Sequence, residues 1–307
     1  TWLLGPQLAD WISRPTSQPV PQPTDVEART LRAIARRTWM FYENFVGPNN
    51  HWLPPDHFQE TPGGVVAHGT SPTNVGFYLL STLAAFDFGY IRLANFVLRT
   101  TFAFDALDKQ PRYRGHFLNW IDTRNLQPLP PPYVSTVDSG NLGAALITLQ
   151  QGCLELRSHA VWRPARWQGL LDTLAIVAEV TQSFSPQDDP RRAPVQKLQA
   201  SLAAMMEQVE QALAQPDSAP VILANLLGIH KEALDQALIE VVADEPNHIE
   251  AETLQTLRLY VLRVHQHVEG MSQERAELMP WLRVMARPPA LFAARECPPS
   301  LRRAWDA

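Results

Sequence analysis

The chain has 307 residues, of which 45% are hydrophobic and 19% charged, the balance of a folded protein with one large domain or two ordinary ones. Its net charge of -5 comes with scattered basic residues, so no basic stripe is available to displace counterions from phosphate, and nucleic acid is not an expected partner. Cys153 and Cys297 are the two thiols and lie far apart in sequence, which argues against a disulfide framework and fits a reducing compartment.

Residues 1–13, TWLLGPQLADWIS, are too polar for a signal peptide. They read either as a surface helix carrying two tryptophans or as the tail of an apolar segment further upstream. PTSQPVPQP (15–23) is a proline-rich linker or strap, so 1–23 is taken as a linker or the exit of an upstream segment. Thr24 and Glu27 have capping-box spacing and start a helix that carries Leu31, Ile34, Phe41 and Phe45 on one face and ends at Gly47-Pro48. Ser71-Pro72 is a hydroxyl cap followed by a proline at the first helical position. The apolar run 75–104 is interrupted by Asp87, Arg92 and Arg99. It predicts two buried helices around a turn at Gly89, the second from about Ile91 to Leu107, with no membrane crossing. A further helix is expected after Ser139, reaching about Leu156. Beyond residue 160, amphipathic patterns at 167–183, 196–214, 219–241, 248–269 and 272–287 predict a succession of helices, with PQDDPRRAP (186–194) as a polar loop. No period-two run is long enough for a sheet, and the fold class is all-α. The division is 24–160, first helical hairpins with substrate loops, and 161–307, helical scaffold of the same domain.

Chemically capable residues concentrate in the loops before residue 145, where a rigid scaffold would present them. In HWLPPDHFQE (51–60), Pro54 and Pro55 fix extended backbone, Trp52 and Phe58 supply flat faces, and Asp56, Gln59 and Glu60 accept hydrogen bonds. That combination suits a sugar, whose C–H face stacks and whose hydroxyls need directional partners. The bland alternative is a loop anchored by its aromatics with its acids capping helices. VVAHGTSPTNVG (65–76) delivers His68, Thr70 and Asn74 to the start of a helix. GHFLNWIDT (115–123) and YVSTVDSGNLG (133–143) add Trp120, Asp122, Asp138 and Asn141, one of Asp138 and Ser139 being expected as a helix cap. His51, His57, His68 and His116 lack zinc-ligand spacing, and no phosphate-cradling glycine loop or nucleophile elbow occurs, so neither a metal nor a cofactor is expected.

Four stretches taken together, ARRTWMFYENFV, HWLPPDHFQE, VAHGTSPTNVGFYLLSTLAAFDFGY and RGHFLNWIDTRNLQPLPPPYVSTVDSGNL, closely resemble the middle domain of cyclic β-1,2-glucan synthases, densely over about 28–150. The resemblance implies a segment of an (α/α)6 toroid, incomplete at its C-terminus, from a domain that closes linear β-1,2-glucan into rings by retaining transglycosylation. It implies a large membrane-anchored parent with this soluble segment at the cytoplasmic side of the inner membrane, and neighbouring domains of that polypeptide as partners beside the glucan chain. It further implies sugar-binding roles for Trp52, Asp56, Gln59, Glu60, His68, Thr70, Asn74, Trp120, Asp122, Asp138 and Asn141. The catalytic glutamate pair is expected beyond residue 307. The chain departs from the family at Gly69, where an arginine is usual, at His57, where an asparagine is usual, and at Leu118 and Ile121, where tyrosines are usual. The alternatives are a non-catalytic glucan-binding or spacer module and a generic helical interaction domain. The first reading requires Trp52, Asp56, Glu60, His68, Asn74, Trp120, Asp122 and Asp138 to meet at one end of the helical array.

Overall fold

The computed structural model describes residues 4–13, 22–156, 163–182, 184, 192–244 and 251–278. Helix α1 is Gly5–Ser13 and exposed throughout. Helix α2, Asp25–Phe45, opens on the predicted capping box: the Glu27 amide donates to Thr24 Oγ1 at 3.3 Å and the Thr24 amide to Glu27 Oε2 at 2.8 Å. Helix α3, Pro72–Asp87, starts with the Ser71 hydroxyl accepting from the Asn74 amide, as its sequence requires. Helix α4 is Leu93–Asp108 and α5 is Thr136–Leu156. The later half holds α6 Ala165–Gln182, α7 Arg192–Ala214, α8 Ala219–Asn225, a π-helical turn Leu226–His230, α9 Lys231–Asp244 and α10 Ala251–Leu278.

The protein is mostly helical, as expected, with short strands confined to the loops. Strands β1 His57–Gln59 and β2 Val65–Ala67 form one hairpin. A three-stranded sheet is ordered β3 Gly69–Thr70, β6 Asn119–Asp122, β7 Pro128–Tyr133, and β4 Arg112–Tyr113 pairs with β5 His116–Phe117. Strands of two to six residues, the longest reading PLPPPY, carry no alternation that a sequence scan can detect.

Packing is helix on helix: α3 against α4 and α5, α6 against α7 and α10, α7 against α9. Two apolar cores result. One joins Leu53, Tyr78, Leu79, Phe96, Ile121 and Leu142, and the other joins Trp167, Leu174, Leu198, Met205, Leu234 and Val264. Helix α2 is their common wall, since Trp39 belongs to the first core and its neighbour Met40 to the second. The expected apolar face of α2 is therefore corrected. Leu31 and Ile34 are more than half exposed, whereas Arg36, Trp39 and Met40 are buried, because the helix faces two cores and a polar seam between them.

Other boundaries also move. Helix α5 begins at Thr136, not after Ser139. Helix α7 takes in Pro194, which the first turn of a helix tolerates because its missing donor has no partner there anyway. Gly270 lies inside a continuous α10, so the break between 269 and 272 is absent, and the rest of the 272–287 pattern lies outside the described residues, as do Cys297 and most of the 15–23 linker. Among the described residues no helix is long and apolar enough to cross a membrane.

The turn between α3 and α4 is the tightest junction. Gly89 has φ +79°, and a Cβ there would run into the Ala165 carbonyl, while a Cβ on Gly169 would meet the Gly89 carbonyl at 2.7 Å. Gly89→Ala is expected to lose more than about 3 kcal/mol, from left-handed strain plus a backbone clash that cannot relax. Gly143→Ala, with open space around its Cβ, should be neutral or stabilising by up to about 1 kcal/mol. Thermal unfolding of the two variants checks both outcomes.

Candidate functional site

The N-termini of α3 and α5 lie side by side because glycine lets the helices approach: a Cβ on Gly76 would come within 3.1 Å of Ala145 Cβ. Between these ends the predicted residues form one connected polar patch. Asp56 is held at both oxygens, Oδ1 accepting from Asn74 Nδ2 at 2.9 Å and Oδ2 facing His57 Nδ1 at 2.8 Å. Asn141 Nδ2 donates to Thr73 Oγ1 at 3.0 Å, and Asn119 Nδ2 to Asp138 Oδ2 at 3.3 Å. Thus Asp56 from the first loop, Asn74 from α3, and Asp138 and Asn141 from α5 meet at one end of the helical array.

Asp138 is not the cap of α5. Ser135 is: its hydroxyl accepts from the Asp138 amide at 3.1 Å, and Asp138 sits in the first turn. The spacing Ser135-x-x-Asp138 is the sequence signal that identifies this start. Burial alone would raise the Asp138 carboxyl. Hydrogen bonds from the Ser135, Thr73 and Ser71 hydroxyls and the Thr73 backbone outweigh it and hold the group below the ordinary carboxylate range. The positive ends of two helices act in the same sense.

A second group gathers along β3 and β6. The Thr123 amide donates to the His68 carbonyl at 2.9 Å, and His51 Nδ1 faces the Thr123 carbonyl at 2.8 Å, which ties the first and third loops together. Asp122 pairs with Ile121's neighbour strand through Gly69, but its carboxylate is committed: Arg124 Nε and Nη2 approach its two oxygens at 3.0 and 2.7 Å, and the Arg124 amide donates at 2.9 Å. These bonds lower the Asp122 carboxyl, the Arg124 side chain foremost. Thr70 is buried with its hydroxyl unpartnered among the described residues, as is His68 Nδ1. Trp120 is half-buried on β6, facing Gly69.

The remaining candidates stand apart from that patch. Trp52 is half-buried, stacked on Phe102 with ring centroids 5.3 Å apart and approached by the Arg99 guanidinium at 5.6 Å, so it anchors its loop to the core. Phe58 likewise packs on Phe45, at 4.8 Å. Gln59 and Glu60 are exposed on the β1–β2 hairpin, with Gln59 Nε2 donating to the Thr61 carbonyl at 2.8 Å. Of the partners that order the site, Thr73, Asn119, Arg124 and Ser135 are residues that sequence reasoning did not single out, and Ser71 was read as a helix cap. Chemically the patch is a set of carboxylate and amide acceptors and donors fixed by one another. Among the described residues no cluster of His, Cys, Asp and Glu is arranged to hold a metal ion.

A depressed carboxyl stabilises the fold above its unfolded value, about 3.9 for aspartate, and the contribution is lost as pH falls through the folded value. Asp122→Asn is therefore expected to lower the melting temperature at neutral pH, where the pair with the exposed Arg124 is broken, and to lessen its acid sensitivity. Melting curves from pH 3 to pH 7 of the two proteins read both effects.

No protein-family model matches the chain. Over 201 residues, 64% of its length, it is 40% identical to the cyclic beta-(1,2)-glucan synthase NdvB of Rhizobium meliloti (strain 1021). The chain spans about 7% of that relative's length. What it is similar to is a segment of a cyclic β-(1,2)-glucan synthase.

Proposed function

We propose that this chain is the glucan-holding part of a catalytic domain that processes β-1,2-glucan, in a membrane-anchored parent that closes linear chains into rings. The observation that carries the reading is the meeting of Asp56, Asn74, Asp138 and Asn141, drawn from three separate segments, at the paired N-termini of α3 and α5. Alternating acceptors and amide donors match the hydroxyls of a sugar chain, and the loops carrying them lie within the stretch that resembles the synthases. The helix-on-helix packing is compatible with a toroid of helical hairpins, of which this segment supplies part.

A second observation argues against a general-acid role for two of these carboxyls. Retaining transfer needs two carboxyls about 5 Å apart, one of them kept protonated so that it can act as an acid. Asp122 and Asp138 are both pushed the other way, toward the ionised form, by their hydrogen bonds. Neither can donate the proton at neutral pH. On this reading Asp56, Asp138, Asn74 and Asn141 bind and orient glucan, and the acid comes from elsewhere in the parent. A purely non-catalytic binding module shares the first role and lacks the second.

Two measurements test the reading. Asp56→Ala in the intact parent should lower kcat/KM on linear β-1,2-glucan by roughly ten- to a hundredfold, the loss of one charge-assisted hydrogen bond to a hydroxyl, with unfolding stability little changed. Unchanged kinetics in that variant would remove Asp56 from the substrate site. Product analysis with linear β-1,2-glucan, comparing this segment with one extended past residue 307, should give binding alone for the first and ring products for the second. Ring formation by the short segment would overturn the holding role.

A further inference from the structure

A second polar site lies away from the sugar patch, in the seam between the two cores. A cavity of about 370 Å3 opens between α2, the start of α4, the start of α6 and the middle of α10. That is the lower end of the range of small-molecule sites. Five arginines line it: Arg36 of α2, Arg92 and Arg99 at α4, Arg166 of α6 and Arg263 of α10.

The carboxylates facing these arginines are too few. Glu43 is shared, 3.0 Å from Arg36 and 3.4 Å from Arg263. Glu277 pairs with Arg92 at 3.2 Å and Glu274 with Arg166 at 3.2 Å. The remaining lining acid, Glu269, is engaged by Lys231 at 2.7 Å. Arg99 faces no carboxylate among the described residues. It has only long contacts, 3.4 Å to the Val46 carbonyl and 3.5 Å to Tyr78 Oη, and lies over the rings of Trp39 and Trp52. Five guanidinium charges thus meet three carboxylates, a deficit of two negative charges. The Nε atoms of Arg166 and Arg263 are already held, by Glu274 at 3.2 Å and Glu43 at 3.4 Å, so the unmet demand centres on Arg99. A ligand offering several acceptor oxygens and negative charge would satisfy Arg99 and offset the deficit, whereas water brings no charge. Burial foremost, with the Arg166 and Arg36 charges adding to it, keeps His267 neutral beside the cavity.

We propose that this cavity binds a phosphate monoester, with Arg99 as its principal ligand. A monoester carries between one and a half and two negative charges at neutral pH and three acceptor oxygens, which matches the deficit, and the guanidinium fork takes such oxygens in pairs. The cavity has room beyond the oxyanion itself, and the exposed Asn95, Gln266 and Gln273 at its rim offer amides to the organic part.

The test is calorimetric titration of the full chain with phenyl phosphate, with inorganic phosphate, and with sodium chloride at matched ionic strength, each paired with a melting curve. Saturable binding of phenyl phosphate, tighter than inorganic phosphate and absent with chloride, is the expected result. Arg99→Gln should weaken it by roughly ten- to a hundredfold, the loss of one charge-assisted pair, while Arg37→Gln, whose exposed partner is Glu179, leaves it unchanged. Gly270→Leu should abolish it by filling the cavity, since a Cβ there already stands 3.6 Å from Arg166 Nη2. This second variant keeps the test decisive if Arg99→Gln does not fold. Tighter binding of inorganic phosphate than of the ester would replace the monoester by the free ion. Heat that does not saturate, or that survives both cavity variants, overturns the site altogether.

Discussion

Two guanidinium groups, on Arg36 and Arg166, lie almost wholly out of water where the two apolar cores meet, at 2% and 5% exposure. A buried charge without partners is too costly to persist, so every donor they carry constrains what stands around them. Arg36 Nε donates to the Thr173 hydroxyl on α6 at 2.9 Å, its Nη1 reaches Glu43, and its guanidinium lies near the rings of Tyr90 and Tyr260, one from each half of the chain. Arg166 Nη1 donates to the Gly89 carbonyl and its head group faces Glu274. Glu274 in turn accepts from the Leu93 amide at 3.0 Å and so caps α4, which has no side-chain cap of its own at Arg92. Lysine could not take either place, because a point charge cannot address three partners in one plane.

That seam sets the position of the polar patch at the N-termini of α3 and α5. Arg166 holds the Gly89 turn against α6, and the Gly89–Gly169 approach admits no side chain, so the C-terminal end of α3 is fixed from below. Gly76 and Gly152 then let α5 lie against α3 closely enough for a Thr73 hydroxyl to meet Asn141. Each step is a close approach that a Cβ would block, and the level alignment of the two N-termini is their product.

Much of this was legible in the sequence where a local chemical rule applies. The Thr24–Glu27 box, the Ser71-Pro72 start and the Gly89 turn each have a cause within four residues, and all three are found. The meeting of Asp56 with Asn74 was anticipated from residue type and a family resemblance. What stayed hidden depends on partners distant in sequence. Arg32 and Arg36 are one helical turn apart, and their bonds go to Asp172 and Thr173, some 140 residues on. Nothing local distinguishes them from Arg29 or Arg37, which lie on exposed faces. The same reason explains why Leu31 and Ile34 look like core residues and are not: the periodicity marks a stripe, but a helix wedged between two cores buries the residues its neighbours select. Asp122 was read as a sugar contact from its aromatic neighbour, and its ordering partner Arg124 is only two residues away. The turn that joins them is created by the β6–β7 pairing and so was invisible beforehand.

The two polar sites differ in what they still lack, and this decides how each behaves. In the patch around Asp56 the described acceptors and amides already bond to one another, so an incoming hydroxyl must join or replace existing hydrogen bonds, and the net gain per contact is small. On the proposed reading, such a surface would hold a long chain at many weak points. In the arginine cavity the charge is not balanced by the protein itself, so a single oxyanion gains several strong bonds at once. Arg99 belongs to both surroundings, since its guanidinium lines the cavity and also lies over Trp52, the ring that anchors the loop bearing Asp56. On the proposed reading, an anion drawing on Arg99 would therefore meet that loop through the ring, so the cavity and the loop bearing Asp56 share one side chain.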